Sequence, residues 1–145
     1  MSGGNTGPIV VVFDRGAASP GEIGVGLRRI GVPAVTVLGA SEYAEEMRPL
    51  MAALGPVLSS RDGSGSNVAA LREAGARGIV TFSERMQTRT ADLSVALVLP
   101  YHLPETVRLL TDKYAQRRCL GGAGIPQAAG SRRPRRSPTD PLSRN

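Results

Sequence analysis

Tryptophan is absent, and aromatic residues fill only 3% of the 145 positions. That scarcity excludes the stacking platforms of single-strand nucleic-acid binders and the aromatic grooves that grip peptides. A lone cysteine, Cys119, forbids an internal disulfide, and with a lone histidine, His102, no Cys/His set stands at metal-ligand spacing. A reducing compartment is the expectation. No apolar run reaches membrane-spanning length, and the opening M-S-G-G-N-T-G-P has neither the basic start nor the apolar stretch of a signal peptide. The chain is therefore expected in the cytoplasm, away from membranes.

Present instead is a 41% share of hydrophobic residues in a length suited to one domain, with a core of Val, Leu, Ile and Ala. The formal charge of +6 invites a nucleic-acid reading, because clustered cations displace counterions from phosphates. Its position argues otherwise. Beyond Gln127, Arg132, Arg133, Arg135, Arg136 and Arg144 face Asp140 alone, so most of the excess sits in one short tail and the remainder is nearly balanced. Prolines recur in that tail and almost nothing there is apolar, so disorder is expected.

Elsewhere, short runs of β-branched residues alternate with amphipathic stretches. Ile9–Phe13 reads as a strand buried on both faces and Pro33–Leu38 as a second buried strand, Pro56–Leu58 reads as a short third, Gly78–Phe82 as the fourth and Val98–Pro100 as a brief fifth. Ser19, Pro20 and Glu22 supply an N-cap, a first-turn proline and a capping box for a helix that stops at Gly31. Ser41 opens a second helix, which Pro49 is expected to bend or divide. A third is expected over 67–74, and a fourth over 85–96 with Thr81 and Glu84 at capping-box spacing. The stretch 104–126 predicts two helices broken at Thr111–Lys113 and closed by G-I-P. Strand and helix in alternation, with connections too long for hairpins, predict an α/β, three-layer fold with a parallel sheet of about five strands.

Candidate chemistry gathers where open α/β sheets hold ligands, at the carboxyl ends of the strands. Asp14 and Arg15 follow the first strand, and Ser83 and Glu84 follow the fourth; each pair also has a plain role as surface or capping residues. A carboxylate at Glu84 suits a substrate amine. Gly16, Gly21, Gly24 and Gly26 miss dinucleotide-fingerprint spacing, because Arg29 stands where the third glycine belongs. Lys113, the sole lysine, stands at a helix start, where ammonium and free N–H groups can share a phosphate, although a solvated surface lysine needs no ligand. His102 has no triad partner and is expected to pack beside Tyr101, and Cys119 is expected to be a small buried thiol.

The run P-E-T-V-R-L-L-T-D-K (Pro104–Lys113), followed by G-I-P at Gly124–Pro126, resembles the segment that joins the N-terminal domain of ATP-grasp ligases to their nucleotide-binding part. Biotin carboxylases carry a closely similar run, and T-F-S-E (Thr81–Glu84) is similar to the end of their fourth strand. Resemblance extends over about residues 9–127, most specifically in the last part. It implies a Rossmann-like pre-ATP-grasp domain over 9–103 and linker helices over 104–127 leading toward an ATP-grasp domain. Residues 1–8 and 128–145 are expected to be disordered. By position Lys113 matches an ATP-phosphate contact and Glu84 an acidic substrate-site position, with ATP and Mg2+ as cofactors of the complete enzyme.

Members of that family continue into two subdomains that clamp ATP and supply carboxylates for magnesium, whereas this sequence turns into the Arg/Pro/Ser tail. The expectation is an N-terminal ligase fragment cut short by a frameshift or an open-reading-frame error, inactive alone, from an enzyme that joins small-molecule carboxylate and amine substrates; a homodimer is compatible with it. Two alternatives stay open. One is a stand-alone Rossmann-like binding or regulatory module, and the other is a nucleic-acid-associated protein using its basic tail.

Overall fold

The computed structural model describes residues 6–127. The described chain divides between Thr111 and Asp112 into two compact units. In the first, Ile9–Phe13 (β1) has five apolar residues in succession, of which Val10, Val11, Val12 and Phe13 are buried. Only a strand covered on both faces can bury every side chain of such a run, and each full burial contributes about 1.5–3 kcal/mol.

Helix α1, Pro20–Ile30, starts with the expected capping box: Ser19 Oγ accepts from Glu22 N at 3.3 Å, and Glu22 Oε2 accepts from Ser19 N at 2.8 Å. It ends at Gly31, whose φ of 63° lets Val32 N donate back to Leu27 O. Strand β2 is Ala34–Leu38, helix α2 is Glu42–Ala52 and strand β3 is Val57–Ser59. Of the expected bend or division, the division does not occur: α2 is one helix through Pro49, which lies near its end and lacks the N–H that would have donated to the preceding turn.

A single 3-10 turn, Ser60–Asp62, leads to α3, Ser64–Glu73, which begins earlier than its sequence pattern indicated. Strand β4, Gly78–Thr81, and a second 3-10 turn, Glu84–Met86, precede α4, Gln87–Leu97. Helix α5, Pro104–Thr111, packs against α4 and buries Val107. The second unit contains α6, Lys113–Gly122, capped by Asp112.

All strand pairings are parallel, in the order β3-β2-β1-β4. The chain steps outward from β1 to β3 with α1 and α2 on one face, then returns past β1 to β4. Reversing direction while keeping right-handed crossovers carries the next helices to the opposite face. The core agrees: Val11, Phe13 and Leu38 pack with Ile23, Ala44 and Met51 of α1 and α2. Val10, Val12, Val37 and Ile79 pack with Leu71 and Leu93 of α3 and α4. The α/β, three-layer expectation holds.

Four strands are present among the described residues, not five. Val98, expected to open the fifth, instead closes α4 in the left-handed region at φ 55°, with Leu99 N donating to Ser94 O at 2.8 Å. The apolar run was long enough for a strand, but Leu99 and the nearby Tyr101 pack onto the α3/α4 side of the core instead. The tail 128–145 lies outside the described residues. Of the N-terminal eight, residues 1–5 also lie outside, while Gly7 and Pro8 accept hydrogen bonds from Arg77. Among the described residues no helix is long and apolar enough to cross a membrane.

A β-branched residue at positive φ is strained by roughly 1–2 kcal/mol. Val98 is 90% exposed, so replacing it loses no burial. Val98→Gly is expected to raise stability by about 1 kcal/mol, seen as a higher urea midpoint at unchanged slope; a lower midpoint contradicts this.

Glu22 titrates below the usual carboxylate range because the Ser19 backbone N–H, and then its hydroxyl, bond the ionised form. With the folded value depressed, its stabilisation is present above the unfolded value and lost as pH falls through the folded one. The stability gap between the wild type and Glu22→Ala is therefore expected to be larger at neutral pH than in acid, measured by denaturant titration at both.

Candidate functional site

The reversal of strand order at β1 and β4 places two tails side by side at the carboxyl edge of the sheet. These two tails are clasped. Ala17 N donates to Phe82 O at 2.9 Å, and Ser83 Oγ donates to Arg15 O at 2.8 Å. Gly16 makes the approach possible: a Cβ there would lie 2.1 Å from Phe82 O and 2.8 Å from Ser83 Cα.

Asp14 is 6% exposed, and its carboxylate is satisfied locally. Oδ1 accepts from Arg15 N at 2.7 Å and from the Ser41 hydroxyl, while Ser41 Oγ also caps α2 by accepting from Ala44 N at 3.1 Å. The aspartate thus joins the β1 tail to the α2 N-terminus, where a negative charge is favoured. Gly39 leaves the necessary room, because a Cβ there would lie 2.1 Å from Asp14 Oδ2. Asp14 is a positioning group here.

Arg15 is exposed, and its guanidinium carbon sits 4.6 Å from the centroid of the Tyr43 ring, which stacks on Phe13 at 6.1 Å. Such a cation over an aromatic face is held without losing its outward N–H donors. From the other tail comes Glu84, exposed at the start of its 3-10 turn. The expected capping box at Thr81 does not form. Thr81 Oγ1 donates to Val12 O at 2.7 Å and accepts from Ser83 N at 3.1 Å, so its hydroxyl fixes the β4 exit and leaves the Glu84 carboxylate uncommitted to a cap.

One guanidinium and one carboxylate, both accessible and on tails locked to each other, form an edge with separate handles for an anionic and a cationic group. Beside it, an apolar groove of about 490 Å³ runs between α1 and β4, with Ala17, Ala18 and Phe82 at the end nearest the clasp.

Lys113 belongs to the second unit and is the first residue of α6, with its side chain exposed. The N–H groups of Tyr114 and Ala115 donate to Asp112 Oδ1 at 3.0 and 3.1 Å. Asp112 therefore already supplies negative charge at the terminus that sequence reasoning offered to a phosphate. Glu84 and the Asp14–Arg15 pair share the sheet edge, whereas Lys113 lies on a separate unit. His102 packs edge-on against Tyr101 at 5.4 Å, as expected, but Cys119 is exposed rather than buried, because it occupies a face of α6 without buried residues.

Ser41 and Tyr43 were missed as parts of this edge. Ser41 carried a visible capping signal, but nothing local announces that the same hydroxyl reaches Asp14. The chain matches no protein-family model and no curated protein.

Gly16→Ala is expected to destabilise by about 2 kcal/mol or more, since the added methyl meets backbone atoms that cannot rotate away. Gly26→Ala, in α1 with nothing within 4 Å of the new Cβ, is expected to be neutral or stabilising. Equal urea midpoints for the two variants would contradict the clasp.

Proposed function

We propose that the unit ending at Thr111 is the substrate-side, Rossmann-like domain of an ATP-grasp-type ligase, and that α6 belongs to the linker that brings Lys113 to ATP phosphate in such an enzyme. The observation that carries this reading is the clasped β1/β4 edge, which presents Arg15 and Glu84 at the switch point of a parallel sheet. The resemblance of the Pro104–Pro126 run adds to it.

In this reading Arg15 attracts the carboxylate of a small substrate and Glu84 orients an amine, each by a charge-assisted hydrogen bond. The clasp holds the two handles in fixed relation, lowering the entropy lost on binding. Such a ligase works with ATP and Mg2+. The described residues do not fit that pair on their own: no group of three or more His, Cys, Asp or Glu side chains stands together, and the Asp112 carboxylate already caps α6. No catalytic step is assigned to them, and the residues named here bind and orient.

Titrating the isotope-labelled chain with glycine, acetate and methylamine separates these roles by NMR. Acetate is expected to move the Arg15 side-chain signal, methylamine the amides around Glu84, and glycine both. Glu84→Gln should remove the methylamine response and retain that of acetate. Responses confined to other parts of the fold, or none at this edge, would overturn the proposal.

A further inference from the structure

Strand β4 ends the sheet order, with β1 on one side and no strand on the other among the described residues. Arg77 N donates to Pro8 O, toward β1, and the direction of the backbone groups alternates along a strand. The N–H and C=O groups of Gly78 and Val80 therefore face away from the sheet. No backbone hydrogen bond from another described segment meets them there. Such an edge templates pairing with another chain, and proteins blunt it with charge, proline or a bulge. The β4 sequence, G-I-V-T, has neither charge nor proline, and its register with β1 is unbroken.

Gly78, Val80 and Phe82 share the face that looks toward α1. Val80 and Phe82 line the apolar groove beside that helix, and a Cβ on Gly78 would meet Cγ1 of Ile9, which lines the same groove, at 3.6 Å. Phe82 at one end of the groove is 43% exposed, and Ile30 at the other is 61% exposed. Because Gly78 has no side chain, the groove floor beside Ile9 is bare.

An antiparallel two-fold axis at Val80 sets Gly78 of one copy opposite Phe82 of the other, so the edge is complementary to itself. Val80 faces its own counterpart and exchanges two hydrogen bonds with it. Each Phe82 N–H comes next along the edge, opposite Gly78 O of the other copy, whereas Phe82 O is already held by Ala17 N. The ring of each Phe82 then covers the bare glycine and meets Ile9 and Ile30, as aromatic side chains cover glycine on a neighbouring strand. Charge agrees with this direction. Arg77 precedes β4 and Glu84 follows it, so antiparallel order sets unlike charges across both ends and parallel order sets like beside like.

We propose that two copies of this chain associate through β4, antiparallel about Val80, joining their four-stranded sheets into one, with each Phe82 seated over Gly78 of the other copy. A short edge gives a small interface, so the pairing is a reversible one.

Sedimentation equilibrium of the full chain over a concentration series tests this. A monomer–dimer equilibrium is expected, with the Val80 amide gaining exchange protection as the dimer fills. Between labelled and unlabelled copies, nuclear Overhauser contacts are expected from the Phe82 ring to the Gly78 α protons. Phe82→Gln, which removes the ring, and Gly78→Leu, which fills its seat, should each weaken association about tenfold or more. Amide spectra of the dilute variants that match the wild type away from β4 show that they fold. A chain that is monomeric at every concentration, including one that takes up an unrelated strand peptide at β4 instead, overturns the proposal. So does a dimer whose contacts lie elsewhere, such as at the exposed Leu109 and Leu110 of α5, or one that both variants leave unchanged.

Discussion

The rest of the first unit depends on β1 being paired on both edges and buried on both faces. Its register with β2 and β4 is set along nearly its whole length, Ile9 opposite Ala34 on one side and Gly78 on the other. A one-residue slip would turn Val10 and Val12 toward the other layer, exchanging the partners of two packed clusters at once. Because β1 is fixed in this way, the places where its neighbours end are fixed too. The tails at Asp14 and Phe82 have no choice but to meet.

That meeting converts a property of topology into a property of chemistry. Gly16 admits the Phe82 carbonyl, Thr81 and Ser83 spend their hydroxyls across the gap, and Asp14 secures the α2 end of the same edge. Polar groups that could have contacted a ligand are consumed in holding the loops. Arg15 and Glu84 remain directed to solvent, and the ligase reading proposed above rests on that division between holding and presenting groups.

Much of this was legible in the sequence wherever local and tertiary demands coincide. The β1 run, the Ser19–Glu22 capping box and the Gly31 stop each state one conformation, and the structure adopts it. Local signals misled where a distant partner competed for the same atoms. Thr81 has capping-box spacing, but the Val12 carbonyl takes its hydroxyl. Val98 has strand propensity, but closing α4 and packing Leu99 outweigh it. Pro49 was expected to bend or divide a helix that buries Ala44 and Met51 on either side of it, and that burial keeps the helix undivided. At the candidate edge, Arg15 and Glu84 could be placed from strand ends alone. The links from Asp14 to Ser41 and from Arg15 to Tyr43 span 27 and 28 residues in sequence and depend on the β1–β2 register, which no local pattern encodes.

The β1/β4 clasp ties the two strand tails to the sheet, so this edge is expected to be as rigid as the sheet beneath it. Native-state amide hydrogen exchange at Ala17, whose N–H closes the clasp onto Phe82 O, tests this at one atom. Ala17 is predicted to exchange in the same regime as Val11 and Val12, opening only when the sheet opens. Exchange at Ala17 as fast as at the exposed Ser64–Ser66 amides would show a loop that merely passes the β4 tail, and would contradict the account.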